Sequence, residues 1–398
     1  MISRQIEGSN VERKVTIESL LVIALYLILS DLTIELVGKL KFSEILLGIV
    51  FLKFCLSGAL RLDRNIKVIV LSFVTILLGF VLSDIYNQSK FEDYSRGAAL
   101  IISALMQTTV FYFIFKKNVK LINIFFIFSS VLAILNFQTI ELKEGADVSQ
   151  FKLFIGGIIP ILVLSITYIS RRSWKIAALT ALIFGCFVLL FGARSSGLVI
   201  AIASLVYILT FCMPKSFFAR TVLLLLIGFV SVCFYMVYVY LTINYFNYGN
   251  TISQISSTTN PFNPFELLYY GRSEFFMGLS AAFERPLLGY GAWASDELFS
   301  GHLVHNYEFI PAHSSLVTAW LWGGLPGLLG ALSILGYVLS KVPSCNTVNI
   351  TARFIYCFAY VTFFWDFLFS PIGHLRENLP VLIAMISVLF VPYVSEKR

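Results

Sequence analysis

Apolar runs, each close to bilayer-crossing length, follow one another along most of this chain. A helix needs roughly 20 apolar residues to cross the hydrocarbon core, and by that rule about twelve spans can be drawn. They lie near 19–38, 43–60, 66–84, 97–115, 119–138, 151–170, 176–192, 197–213, 221–243, 314–340, 350–369 and 379–394. Between 244 and 312 the pattern gives way to a long polar-bearing segment. Its first part, Thr251–Phe265, is polar and broken by proline, which reads as irregular chain. Ser273–Glu284 then carries Phe275, Phe276, Leu279 and Phe283 at helical spacing, which predicts an amphipathic helix lying on the membrane surface. Pro286 ends it, and Gly289 and Gly291 mark a turn. The run from Ser314 to Ser340 would measure about 40 Å as one helix, against a core of about 30 Å. Gly323, Gly324 and Pro326 interrupt it, so a short outer helix from His313 to Trp322, a break and then the true span are expected. The fold class is an all-α polytopic integral membrane protein, residues 1–398 forming a single membrane domain with one long loop over 244–312.

Composition agrees with this pattern. Hydrophobic residues make up 58% of the chain and charged residues 13%, and mean hydropathy is +0.85. A soluble domain carries about twice that charge fraction. The net charge of +7 reflects the loops rather than affinity for nucleic acid. Alternate loops and both termini hold 18 Lys/Arg against 5 Asp/Glu, whereas the opposite set holds 10 against 17. This positive-inside asymmetry predicts cytoplasmic termini, an even number of spans and an extracytoplasmic 244–312 loop. The first apolar run starts near Leu20 after a polar lead, so no cleavable signal is expected. Six cysteines without a CxxC pair give no disulfide framework and no zinc site.

Candidate chemistry concentrates on the outer side. His313 opens the short outer helix. A helix N-terminus disfavours an imidazolium, so the ring can stay neutral and act as a general base, or it can simply cap the helix. Arg194 sits in a tight turn among Gly192, Ser195, Ser196 and Gly197, where a guanidinium fork fits a lipid-linked phosphate or serves as an interfacial anchor. Arg272, at the start of the amphipathic helix, is a second anion-binding candidate beside a helix N-terminus. Arg285 precedes Pro286 and reads mainly as solvation of the helix end. Asp31, Glu35 and Asp366 lie in or at the ends of spans, where acidic residues are functional candidates by default. His374 and Arg376, in the last outer loop, could face the same region. The spacing of Asp296, Glu297, His302, His305 and Glu308 fits no metal pattern.

These residues resemble a known family. Gly271-Arg272-Ser273, Gly278-Leu279, Ala282 and Arg285-Pro286-Leu287-Leu288-Gly289-Tyr290-Gly291, followed by Ala312-His313-Ser314 and Trp322-Gly323-Gly324 with Gly327, are similar to motifs of the O-antigen ligase and O-antigen polymerase superfamily. Phe191-Gly192-Ala193-Arg194-Ser195-Ser196-Gly197 resembles that superfamily's short arginine motif between two spans. The resemblance implies a GT-C-like, metal-independent, inverting glycosyltransferase without a cofactor, at the outer face of the bacterial inner membrane. The donor would be an undecaprenyl-diphosphate-linked oligosaccharide, and the acceptor a sugar hydroxyl on a lipid-linked repeat unit or on lipid A-core. Arg194 and Arg272 would hold the donor diphosphate and His313 would activate the acceptor, with Arg285, His305 and Ser314 as secondary candidates. A chain-length regulator and a flippase are implied partners. Ligase-type members continue with His-Asn at the histidine. Here the pair is His313-Ser314, while His305-Asn306 lies upstream. This departure favours the polymerase branch of O-antigen or exopolysaccharide assembly, with a ligase attaching polymer to lipid A-core as the alternative.

Two other classes make different demands. A transporter or flippase for lipid-linked sugars would favour repeated halves and polar, broken helices near the midplane. In this chain the halves do not look alike and the polar candidates lie at the outer surface. A non-catalytic scaffold for polysaccharide assembly would leave His313 and Arg272 dispensable.

Overall fold

The computed structural model describes residues 17–35, 39–58, 63–140, 149–190, 194–211, 216–244, 273–293, 310, 313–343, 348 and 352–390. Its helices are α1 (Ile17–Leu29), α2 (Phe42–Leu56), α3 (Arg64–Asn87), α4 (Phe91–Lys117), α5 (Lys120–Ile140), α6 (Ser149–Ser170), α7 (Trp174–Leu190), α8 (Arg194–Phe211) and α9 (Phe217–Asn244). Then come α10 (Ser273–Glu284), α11 (Ser315–Leu339), α12 (Arg353–Phe369), a 3-10 turn (Ile372–Arg376) and α13 (Leu379–Leu389). The protein is thus overwhelmingly helical. Among the described residues, Arg64–Asn87, Phe91–Lys117 and Ser315–Leu339 are long and apolar enough to cross a membrane. Shorter apolar helices include Ile17–Leu29, Trp174–Val188 and Leu379–Leu389.

The first expected span, 19–38, is corrected. Helix α1 stops at Leu29, and the chain turns into an antiparallel pair, β1 (Thr33–Glu35) with β2 (Lys39–Lys41). Both stretches alternate polar and apolar residues, the two-residue period of a strand. Asp31 and Glu35 are exposed there.

The interior is organised by α3 and α11, which lie along each other. A Cβ at Gly79 of α3 would fall 2.6 Å from the backbone nitrogen of Gly327, so only glycine lets the two backbones approach this closely. Further along, Ser72 and Ser333 join their hydroxyls at 2.8 Å. Phe73, Phe80, Phe111, Phe115, Phe354 and Phe363 fill the surrounding core.

Contacts between distant segments sort the helix ends into two sets. At one end, Lys116 pairs with Asp63 at 2.6 Å, Lys341 donates to Asn65 at 3.2 Å, and Val348 bridges to Phe390. At the other end, Arg376 pairs with Glu44, Lys41 with Glu377 at 3.1 Å, and Arg285 with Asn87 at 2.9 Å. The first set belongs to the Lys/Arg-rich loops and the second to the loops rich in acid.

Candidate active site

The expected interruption of α11 is present. Gly324 has φ 57° and ψ −149°, and the helix kinks there. Such a break frees backbone groups that must find new partners. Leu321 O accepts from Tyr290 N at 2.8 Å and Trp322 O from Gly291 N at 3.2 Å. In return, Leu325 N donates to Leu287 O at 2.9 Å. Residue 326 is a proline and has no N–H to offer Trp322 O in any conformation. The turn after Pro286 therefore closes the gap in α11 with three backbone bonds. Trp320 Nε1 adds a fourth tie to Pro286 O at 3.0 Å.

The same turn is held from its other side by the end of α3. Ala292 N donates to Asp84 Oδ1 at 2.7 Å, and Asn87 Nδ2 donates to Gly289 O at 3.2 Å. Arg285 Nη1 donates to Asn87 Oδ1 at 2.9 Å, and its guanidinium lies 4.7 Å from the centre of the Tyr290 ring. The reading of Arg285 as a merely solvating residue is corrected: its charge is committed to fixing this turn. Tyr290 donates to Glu284 Oε2 at 3.2 Å. Burial, reinforced by the Glu284 carboxylate, pushes the Tyr290 phenol up to about 12 against the opposing pull of Arg285.

Helix α10 packs on α11 rather than lying free. Gly278, Ala281 and Ala282 are buried, whereas Phe276 and Phe283 are largely exposed. The small residues face the body and allow close approach, and the Phe283 ring meets Trp320 edge-on at 4.8 Å. This packing carries Glu274, in the first turn of α10, to the head of α11.

There Glu274 Oε2 touches His313 Nδ1, a contact that is an ion pair only when the imidazole is protonated. Nδ1 is closed off from solvent, yet the imidazole as a whole is 41% exposed and the Glu274 side chain 31%. The contact is not a hydrogen bond, because Nδ1 has no hydrogen-bond partner; it places a carboxylate directly beside the ring. Sequence reasoning counted only the helix end beside His313 and missed Glu274. The usable signal was an acidic residue in the first turn of an amphipathic helix just upstream.

Ser314 is spent on structure. It is fully buried and caps α11, its Oγ accepting from Val317 N at 3.2 Å. Asparagine fills an N-cap as well as serine does.

A second histidine–carboxylate pair stands beside the first. Ser315 Oγ donates to Ser370 O at 3.4 Å, Ser370 Oγ donates to Asp366 Oδ1 at 3.2 Å, and His374 Nδ1 lies 3.9 Å from Asp366 Oδ2. Phe275 and Phe369 tie the two regions together with ring centres 6.2 Å apart. Arg376, by contrast, is engaged by Glu44, which also accepts from Ser103 Oγ at 2.8 Å and Lys41 N at 3.0 Å.

Arg194 begins α8, and its side chain lies outside the described ones; Arg272 and His305 lie outside the described residues altogether. Among the described residues no group of three or more His, Cys, Asp or Glu could hold a metal ion, and Asp296, Glu297, His302 and Glu308 fall outside them. No protein-family model matches the chain, and no curated protein matches it.

Proposed function

We propose that this chain is a metal-independent glycosyltransferase of the bacterial inner membrane that polymerises lipid-linked glycan at the outer face. The observation that supports the reading is the contact of His313 with Glu274 at the head of a broken apolar helix, taken here as a base beside its carboxylate. The reading takes the apolar helices as about twelve spans. By the charge of their loops, the Asp63–Lys116 end faces the cytoplasm and the Glu274–His313 end faces outward.

In this mechanism, Nε2 of His313 takes the proton of an acceptor sugar hydroxyl as its oxygen attacks the donor's anomeric carbon. The bond from that carbon to the diphosphate oxygen breaks, and the electron pair leaves with undecaprenyl diphosphate. A single displacement inverts the anomeric centre. Arg194 and Arg272 hold the diphosphate and stabilise its growing charge. Glu274 keeps the ring aimed and balances the imidazolium that forms. The acceptor is a second lipid-linked repeat unit in the polymerase reading and lipid A-core in the ligase reading.

The test is the surface-glycan profile of a deletion strain complemented with the intact gene or with His313→Ala. Glycan arrested at single repeat units identifies a polymerase, and long polymer stranded on the lipid carrier identifies a ligase. An unchanged profile in the deletion strain rejects glycan assembly and brings the transporter class forward.

A further inference from the structure

Trp293 follows directly on the turn that closes the α11 break, and its backbone is left-handed, with φ 59°. Tryptophan rarely adopts this region, because its Cβ crowds the backbone there. Strain of this kind persists only where the surroundings over-determine it, and it collects at ligand-binding positions. The surroundings here do so. Tyr290, Gly291 and Ala292 each give their backbone N–H to a fixed acceptor on α11 or α3. Ala292 also packs against Gly97 of α4 so closely that a Cβ there would collide with it.

The result is an indole ring displayed on a rigid mount. Trp293 is 36% exposed, and its ring lies on Trp322, centres 5.5 Å apart and planes tilted by 37°. Trp322 is only 5% exposed and is backed in turn by Phe80 at 5.7 Å. A tryptophan that only anchors a protein in the interface needs neither a strained backbone nor a buried second ring beneath it. A stiffly held, partly exposed indole is instead a surface against which the C–H face of a pyranose stacks, because the indole face carries negative charge density and the sugar's C–H groups are weakly positive.

We propose that Trp293, backed by Trp322, is a sugar-stacking platform that holds the glycan at a subsite remote from the reacting bond. The proposal rests on the glycosyl-transfer reading above and names the part of the substrate that this surface takes. Trp322 lies about 12 Å along α11 from the Ser314 cap, at 1.5 Å per residue, beyond the reach of a single ring bound at His313. A remote subsite contributes to holding the chain between transfers, so its loss shortens the product without abolishing transfer.

The experiment compares Trp293→Ala, Trp293→Leu and Trp293→Phe in the deletion strain at matched membrane levels. It reads the glycan ladder and, on each purified full-length protein, the binding of lipid-linked glycan extracted from that strain. Leucine keeps an apolar side chain for the bilayer but offers no ring. The expected result is a shorter ladder and roughly three- to tenfold weaker binding for Ala and Leu, with Phe close to the intact protein. Wild-type ladder and binding in Trp293→Ala, or rescue by Leu equal to that by Phe, overturns the platform while leaving the transfer reading in place. A deletion strain whose glycan is unaltered removes the transfer reading and the platform with it.

Discussion

The backbone N–H of Leu325 donates to Leu287 O at 2.9 Å, a bond that a continuous helix would have given to Leu321. Leu321 O accepts from Tyr290 instead, so helix and turn exchange partners across the kink. The exchange depends on Gly324, whose φ of 57° suits glycine and whose Cβ, if present, would collide with Leu287 O. Gly324→Ala is expected to cost about 3 kcal/mol or more, through strain and lost backbone bonds together. Thermal unfolding in detergent reads this directly, and an unchanged midpoint would contradict the exchange.

In the proposed mechanism Glu274 acts through His313, so its loss should leave the reaction slower rather than absent. His313→Ala is expected to lower kcat by about 100-fold or more. Glu274→Gln, which keeps the shape and removes the charge, is expected to lower kcat by about tenfold with KM nearly unchanged. Equal kcat for Glu274→Gln and the intact protein would mean that the carboxylate is only a packing contact.

Arg376 and Glu44 form a charged pair whose carboxylate side chain is only 6% exposed. Arg376→Ala strands that carboxylate and is expected to cost about 3–5 kcal/mol. Adding Glu44→Gln should recover a large part of the loss, since the uncompensated charge disappears. A double variant no more stable than Arg376→Ala alone would show that the pair's charges do not interact.

Asp63 predicts a pH dependence at the opposite end of the bundle. Burial pushes its carboxyl up, but hydrogen bonds from Lys116, Tyr112 and the backbone of Ile66 outweigh this and hold it below the usual range. A depressed folded-state value means stability that is complete above the unfolded carboxyl's range and is lost as pH falls through the folded one. Asp63 also caps α3, a task asparagine performs equally well. Asp63→Asn should therefore be less stable than the intact protein at neutral pH, the gap closing below about pH 4. A gap independent of pH would assign the effect to shape rather than charge.

Much of this architecture was legible because apolar runs of bilayer length leave few alternatives to helix, and because Gly323-Gly324 with Pro326 cannot continue one. The end of α1 was misread because Leu32, Ile34 and their neighbours are apolar enough to extend a span, although their alternation marked a strand. The place of His313 just before an apolar helix was readable. Glu274 was not, because only packing of α10 through Gly278, Ala281 and Ala282 brings it there. Arg285 was undervalued for a similar reason. Its partner, Asn87, stands at the end of α3, a separation in sequence over which local pattern carries no information.

The Glu44–Arg376 contact also constrains the order in which the protein can be completed. The carboxylate is synthesised 332 residues before its guanidinium partner. Until the segment before α13 leaves the ribosome, the nascent protein holds an acidic side chain whose strongest counter-charge does not yet exist. A chain that stops before Arg376 retains that vacancy permanently, and the vacancy lies at the hairpin between α1 and α2. The electrostatics of the first helices are therefore complete only once the last segment of the chain has been made.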